Sequence, residues 1–320
     1  MKILAVQNRK GIGDTVIFLP FIRAISEKYS TPIDILVREN SKAEQFLTET
    51  KYINKIHILD RNDLSNGKHD GLLGAINLIK YLRSERFDKI FIFNSSLRHN
   101  LIARFAGIKK IYQYPLFKKR KQHITEAAKF LIESSLNIKN FNDPTIEIDR
   151  NISEAAKIKF NIDQNYLNIL LGIGGSGPTK RIPSKIFISF MEKIVRIKKC
   201  KFFLATGKND EEQKILKEII NSEFGKFCIS LDNLSIKETL PVIQNCNVAI
   251  CNDTSFSHLS AALGVNTITL MADTPLIYGS YSSKMHPIIP DGETDVAHNT
   301  MGKEKINPDK IFEKLIKILN

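Results

Sequence analysis

The sequence predicts an α/β protein in which a mostly parallel sheet, with helices on both faces, is built twice. Three observations predict this. Short apolar runs alternate with stretches of helical spacing. The alternation lapses over Asn137 to Asn165, rich in Asn and Asp, and then restarts. Three loops bearing glycine, hydroxyl or charged residues each follow a strand's carboxyl end, where ligands of open parallel sheets gather.

In order, the first set opens with a strand at Ile3 to Val6, a glycine-containing loop and a helix from about Thr15 to Tyr29. Strands follow at Ile33 to Val37, Ile56 to Leu59 and Lys89 to Phe93. Between the last two, Gly71 to Arg86 has helical spacing through Leu72, Leu73, Ile76, Ile79 and Leu82. The second set has strands at Leu167 to Leu171, Lys201 to Ala205, Cys228 to Ile229, Val248 to Cys251 and Thr267 to Met271. Its helices are Lys185 to Ile197, Glu211 to Ile220, Glu238 to Asn245 and Ser255 to Leu263. A final helix, about 308–319, carries Ile311, Phe312, Leu315, Ile316 and Leu319 on one face. A chain of 320 residues suits two domains at about 150 residues each. The boundary is placed near 150, giving domains 1–150 and 151–320.

The composition, 42% hydrophobic and 25% charged, is that of a globular protein with a sizeable core. No apolar run approaches the roughly 18 residues of a membrane span. The opening strand is cut off by Asn8, Arg9 and Lys10, unlike a secretory leader, so the expected compartment is the cytoplasm. Cys200, Cys228, Cys246 and Cys251 form no CxxC pair and read as small buried hydrophobes. The net charge of +13 is concentrated: Lys80 to His123 holds 12 basic and 2 acidic residues. Such a stretch suits nucleic acid, anionic lipid or a phosphorylated substrate, or is simply a solvated face. No zinc finger, RRM signature or helix-turn-helix supports nucleic acid.

Three loops could carry chemistry. In the first, Gly11 and Gly13 permit a tight turn and Asp14 stands where a helix begins. Two readings of Asp14 stand: a helix-capping carboxylate, or a general base. GxGD is not the dinucleotide fingerprint, whose sixth position is here Val16. The second loop, Gly172 to Pro183, offers backbone amides at Gly174 and Gly175, the hydroxyl of Ser176, and Lys180. It suits phosphate but lacks the Walker ending, and a solvated glycine-rich turn is the alternative. The third, Cys251 to His258, places Asp253, Thr254 and Ser255 at a helix N-terminus, a natural phosphate site or a simple cap.

Together these loops resemble glycosyltransferase family 9, the ADP-heptose:lipopolysaccharide heptosyltransferases. The features are GxGD after the first strand, a K-R-x-P loop opening the second domain, and the segment Asn252-Asp253-Thr254-Ser255-Phe256-Ser257-His258-Leu259-Ser260-Ala261-Ala262-Leu263-Gly264. The resemblance implies a GT-B fold: two facing Rossmann-like domains, an interdomain cleft, and a last helix that packs back on the first domain. It implies an inverting transfer, with Asp14 as base, no cofactor and no resident metal, and the sequence has no DxD motif. Ser176, Lys180, Asn209, Asp253, Thr254, Ser255 and His258 would bind a nucleotide sugar, ADP-heptose by the resemblance. Arg98, Arg104, Lys118, Lys119, Arg120 and Lys121 would bind an acidic glycolipid or oligosaccharide acceptor of the lipopolysaccharide-core type, or touch the anionic inner membrane. Ser255 is a modest departure from the family pattern, and the altered Ala272 to Pro275 and Asn209 keep open a different nucleotide sugar and glycan acceptor; an alternative of another class is a non-catalytic nucleotide-sugar binder.

Overall fold

The structure, a computed structural model, describes residues 1–62, 64, 66–116 and 123–320. It divides into two compact units, Met1–Pro144 and Thr145–Asn320. The division falls a few residues before the boundary read from the sequence. The physical reason is local: Ile146 N–H donates to the Ala262 carbonyl at 2.9 Å, tying the segment to the second unit.

The first unit contains β1 (Ile3–Gln7), α1 (Ile12–Tyr29), β2 (Ile33–Arg38), β3 (Ile53–Leu59), α2 (Gly71–Glu85), β4 (Lys89–Ile92), α3 (Leu97–Phe105), β5 (Lys110–Gln113) and α4 (Ile124–Leu136). The strands pair in parallel in the order β3-β2-β1-β4-β5. Helices cover both faces, so the central strand β1 is buried throughout and is apolar until its last residue, as parallel sheets require. Leu78 and Leu82 of α2 and Ile102 and Ala103 of α3 pack with Leu4, Val6, Ile90 and Ile92. On α1, Phe18 meets Phe93 at 5.1 Å between ring centroids, and Phe21 meets Phe141 at 5.0 Å.

The second unit contains α5 (Arg150–Lys159), β6 (Leu167–Gly172), α6 (Ser184–Val195), β7 (Cys200–Ala205), α7 (Asp210–Ile220), β8 (Cys228–Ser230), α8 (Ile236–Gln244), β9 (Val248–Asn252), α9 (Ser255–Ala262), β10 (Thr267–Leu270), β11 (Met285–Ile288) and α10 (Pro308–Leu319). Its strands are also parallel, in the order β11-β10-β9-β6-β7-β8. One side of the sheet packs on α6, α7 and α10 through Phe187, Phe190, Ile219, Ile311 and Leu315. The other packs on α5 and α8 through Ala156, Val242 and Ile243. The buried stripe of α10, Ile311 and Leu315, lies in the core of the second unit.

Several elements escape the sequence reading: α3, β5, α4, α5 and β11. Helix α3 hides because its outward face is apolar too, so no polar stripe marks its period. Strand β5 spans four residues with half-exposed side chains. The basic residues Lys118, Lys119, Arg120 and Lys121 lie outside the described residues. The cysteines are free, with Cys200, Cys246 and Cys251 buried and Cys228 half-buried. Burial pushes the thiols of Cys200 and Cys251 up to about 11 and about 12, so both are inert packing groups.

In both sheets the strand order reverses beside the first strand of the unit, between β1 and β4 and between β6 and β9. Crossovers leave these points toward opposite faces, which opens a crevice at the carboxyl ends of the strands. The loops singled out in the sequence sit there: Asn8 to Gly11 follows β1, Ile173 to Pro183 follows β6, and Asp253 to Thr254 follows β9.

Phe187 on α6 is fully buried. Phe187→Ala is expected to lower unfolding free energy by roughly 3–5 kcal/mol. Urea denaturation followed by circular dichroism checks this; a shift below about 1 kcal/mol would mean α6 is not packed as described.

Candidate active site

In the first unit the chain leaving β1 turns at Gly11, whose φ of +98° is one that side-chain-bearing residues rarely adopt. Helix α1 starts at once and takes Gly13 and Asp14 into its first turn. This corrects the capping reading of Asp14. The N-cap position is Gly11, and the carboxylate sits inside the helix rather than before it. Asp14 Oδ1 accepts a hydrogen bond from Arg9 Nε at 3.0 Å, and the side chain stays 20% exposed. A carboxylate at a helix N-terminus, oriented by an arginine and open to solvent, can take a proton from a ligand.

The neighbouring strand ends are tied together by side chains that the sequence reading did not name. Arg38 Nε donates to the Asn8 carbonyl at 2.8 Å, and Asn94 Nδ2 donates to Asn8 Oδ1 at 3.2 Å. Gln113 Nε2 donates to the carbonyls of Asn94 and Ser96 at 3.0 and 2.9 Å. The two described acceptor candidates part company. Arg98, near the start of α3, donates from Nη2 to the His69 carbonyl at 2.9 Å. Arg104, near the end of α3 and exposed, donates from Nε to Asn100 Oδ1 at 2.8 Å.

In the second unit the structure gathers most of the predicted residues. Lys180 Nζ donates to Asp253 Oδ2 at 2.7 Å. Asp253 is 5% exposed, and burial alone would raise its pKa. The charge of Lys180 and its hydrogen bond outweigh burial and hold it below its ordinary value. His258, one turn into α9, shares a hydrogen bond between Nδ1 and Tyr281 Oη at 2.8 Å and stacks on that ring. Burial pushes its pKa down to about 4 against the pull of Asp253, so it is neutral at pH 7.

Helix α9 begins at Thr254, whose side chain makes no cap bond; its Oγ1 is buried without a hydrogen-bond partner among the described residues. The first amides of α9, from Ser255 onward, therefore point from a helix N-terminus with no capping oxygen in front of them. Here the phosphate reading fits better than the cap reading. Ser176 is exposed on the loop before Lys180. That loop is pinned from behind: Asn252 Nδ2 donates to the carbonyls of Ile173 and Gly174, both at 2.9 Å. Gly175 N–H donates to Glu212 Oε1 at 2.5 Å. A methyl group at Gly174 would fall 2.7 Å from the same Glu212 oxygen, so glycine is needed there for close approach.

Asn209 has another task. It caps α7 by accepting from Glu212 N–H at 3.0 Å, and its amide also holds the Glu212 carboxylate. Glu212, buried and central to the loop, escaped the sequence reading because it looks like one more acid in a charged first turn. Tyr281 escaped because nothing near it in sequence announces a site.

Among the described residues, one group of His and carboxylates brings its ligand atoms within 4.8 Å: Asp34, His57 and Glu85. It lies by the amino ends of the strands, at the opposite edge from Asp14. Its charges are already answered. His57 bridges Asp34 at 2.9 Å and Tyr81 Oη at 2.5 Å, while Lys2 and Lys55 both pair with Glu85. That arrangement is an internal ion-pair network.

Two Rossmann-like units, each with polar groups at its switch point, are the architecture of the GT-B fold expected above. Comparison with known proteins makes this specific. The sequence profile of glycosyltransferase family 9 (heptosyltransferase) matches residues 75–304, and the chain belongs to that family. A lipopolysaccharide heptosyltransferase 1 of Campylobacter coli is 21% identical, covering 91% of this chain and 90% of the relative. A lipooligosaccharide heptosyltransferase 2 of Campylobacter jejuni is 28% identical, covering 82% and 78%. Among solved structures, the family 9 glycosyltransferase of Veillonella parvula aligns with a TM-score of 0.80 at 15% identity, over 99% of this chain and 97% of that one. The ADP-heptose lipopolysaccharide heptosyltransferase II of E. coli aligns at 0.74 with 17% identity, over 100% and 98%.

The buried pair gives a pH test. In the wild type the depressed pKa of Asp253 contributes stability that is present above its unfolded value near 3.8 and lost as pH falls below it. In Lys180→Met, burial dominates, the pKa rises above that value, and the sign inverts. The variant is expected to lose stability at pH 7 and to recover part of it on acidification to about pH 5. Urea midpoints at the two pH values read this; a variant whose deficit is the same at both excludes the coupling.

Proposed function

We propose that this family member transfers a heptose from ADP-heptose to an acceptor of the lipopolysaccharide-core type, by one inverting displacement without a resident metal. Asp14 accepts the proton of the acceptor hydroxyl as its oxygen attacks the anomeric carbon. The bond from that carbon to the diphosphate breaks, and ADP leaves with the electron pair. The first amides of α9, the hydroxyls of Thr254 and Ser176, and Lys180 meet the growing charge on the diphosphate. Preorganised donors of this kind commonly contribute roughly 3–4 kcal/mol each to the transition state. Asp253 and neutral His258 hold Lys180 and the start of α9 in place, and Arg9 orients Asp14.

The observation that carries this reading is the occurrence of opposite charge demands at the two switch points: an oriented carboxylate in one unit, and a lysine beside an uncapped helix N-terminus in the other. The names of the relatives support the donor. One solved heptosyltransferase, WaaC of E. coli, holds ADP, and another structure of it holds ADP-2-deoxy-2-fluoro heptose. They support the acceptor as well, since the curated relatives are lipopolysaccharide and lipooligosaccharide heptosyltransferases. Arg98 and Arg104 suit an acidic acceptor or lipid phosphate. We place the reaction in the cytoplasm at the inner face of the inner membrane. Among the described residues no helix is long and apolar enough to cross a membrane, so contact there is peripheral.

A different nucleotide sugar is the second reading. Asn209, whose side chain caps α7 where the family often has an acidic or polar group near the nucleoside, keeps it open.

A thermal-shift panel of nucleotide sugars separates the two readings. A donor at about a hundredfold over Kd should add roughly 2.7 kcal/mol. Stabilisation by ADP-heptose alone supports the first reading; stabilisation by a uridine or guanosine sugar alone sinks it. Asp14→Asn is expected to leave donor binding and fold intact and to reduce turnover by about 10²–10⁴. Near-normal turnover would remove Asp14 as base. Lys180→Ala should weaken donor binding, measured by calorimetry, and an unchanged affinity would contradict its role.

A further inference from the structure

Helices α2 and α3 lie side by side in the same sense. Near their starts, Arg98 Nη2 reaches the His69 carbonyl just ahead of α2; near their ends, Arg83 Nη2 reaches the Phe105 carbonyl at 2.5 Å. Their inward residues, Leu78, Leu82, Ile102 and Ala103, fill the core. Their outward residues are also apolar. Leu72 is 80% exposed, Leu73 77%, Ile76 41%, Leu97 50%, Leu101 42% and Phe105 61%. Leu97, Leu101 and Phe105 follow one another at four-residue spacing along a single face of α3. Isolated exposed leucines are ordinary; six large apolar side chains on two adjoining helices mark an interaction surface.

The charge around them says what kind of partner fits. Lys80, Arg83 and Arg104 are exposed on the same two helices, and exposed Lys109 and Lys110 follow α3. Residues 71–84 and 97–113 contain no Asp or Glu. A protein interface would be expected to show acids among its bases, whereas apolar side chains interspersed with cations and with no acid over 71–84 and 97–113 complement a bilayer with anionic headgroups.

We propose that α2 and α3 form a membrane-docking face. Leu72, Leu73, Leu97, Leu101 and Phe105 enter the boundary between headgroups and acyl chains of an anionic bilayer, while Lys80, Arg83 and Arg104 meet lipid phosphates. This deepens the membrane part of the proposed function and does not depend on which sugar is moved. Neither helix spans the membrane. The face lies flat on it, and the inward residues keep their places in the core.

The test is co-sedimentation of the full chain with vesicles of phosphatidylcholine alone or mixed with phosphatidylglycerol. The wild type is expected to partition onto the mixed vesicles and much less onto the neutral ones. The double variant Leu72→Ser, Leu73→Ser replaces exposed side chains and should fold normally, which circular dichroism checks. It should partition at least about tenfold more weakly, since several buried methylene groups are lost. Lys80→Glu should weaken partitioning at low salt and have less effect at high salt. Equal partitioning of the double variant and the wild type overturns the proposal, as does a wild type that binds neither vesicle. A wild-type dimer that the double variant turns into monomers, without vesicle binding in either, assigns the face to a second copy of the chain and overturns it too. Transfer to a water-soluble acceptor fragment is measured separately, so failure of the reaction and failure of the docking face are distinguishable.

Discussion

Each unit depends on a constraint of parallel sheets. A parallel strand can be re-entered only through a crossover that packs on one face, and where successive crossovers change face no helix closes the strand ends. In this chain that happens after β1 and β4 and again after β6 and β9. Among the candidate site residues, Asp14, Lys180, Asp253 and Thr254 stand at those gaps. At the other edge of the first sheet the polar groups satisfy one another: Asp34, His57, Tyr81, Glu85, Lys2 and Lys55 form a network with no chemistry left to offer.

The two gaps use the same device, a helix N-terminus, with opposite results. At α1 the partial positive charge of the helix faces a carboxylate of its own first turn, which Arg9 further steadies. At α9 no side chain caps the helix, and the nearest carboxylate, Asp253, is instead engaged by Lys180. Burying Asp253 is tolerable only because Lys180 and its hydrogen bonds compensate it, as buried charges require. The same pair fixes the lysine beside the helix start. Loop rigidity comes from behind, where Asn252 and Glu212 hold the backbone of Ile173 to Gly175. A loop so pinned presents its remaining amides and hydroxyls without reorganising, which is what electrostatic stabilisation of a leaving group needs.

The outer surface of the first unit follows a different logic. The packing of α2 and α3 on the sheet is complete with their inward residues, so the outward leucines and Phe105 contribute nothing to the core. Exposed apolar groups of that size weigh against solubility, and the surrounding cations offset this in water while drawing the surface toward anionic partners. Part of the basic excess of the first half of the sequence, Lys80, Arg83, Arg98 and Arg104, lies on this pair of helices.

The sequence by itself determined the class of fold, because hydrophobic periodicity and the restart of the pattern are local properties of the chain. It also determined the site motifs, since glycine, a hydroxyl and a charge at fixed spacing after a strand constrain backbone and chemistry together. Asp14, Lys180, Asp253 and His258 were named as candidates in this way, their roles coming from the family resemblance. Tertiary structure alone decided what each of them touches. That Lys180 pairs with a residue 73 positions later and that Glu212 reaches the Gly175 amide are contacts across space, and the turn at Gly11 that puts Asp14 inside its helix beside Arg9 was not marked by the motif. Glu212 and Tyr281 were illegible for the same reason, and so was α3, whose apolar outer face erased the polar stripe by which a helix is read. Periodicity records which side of a segment is buried; it carries no information about which distant side chain waits on the other side.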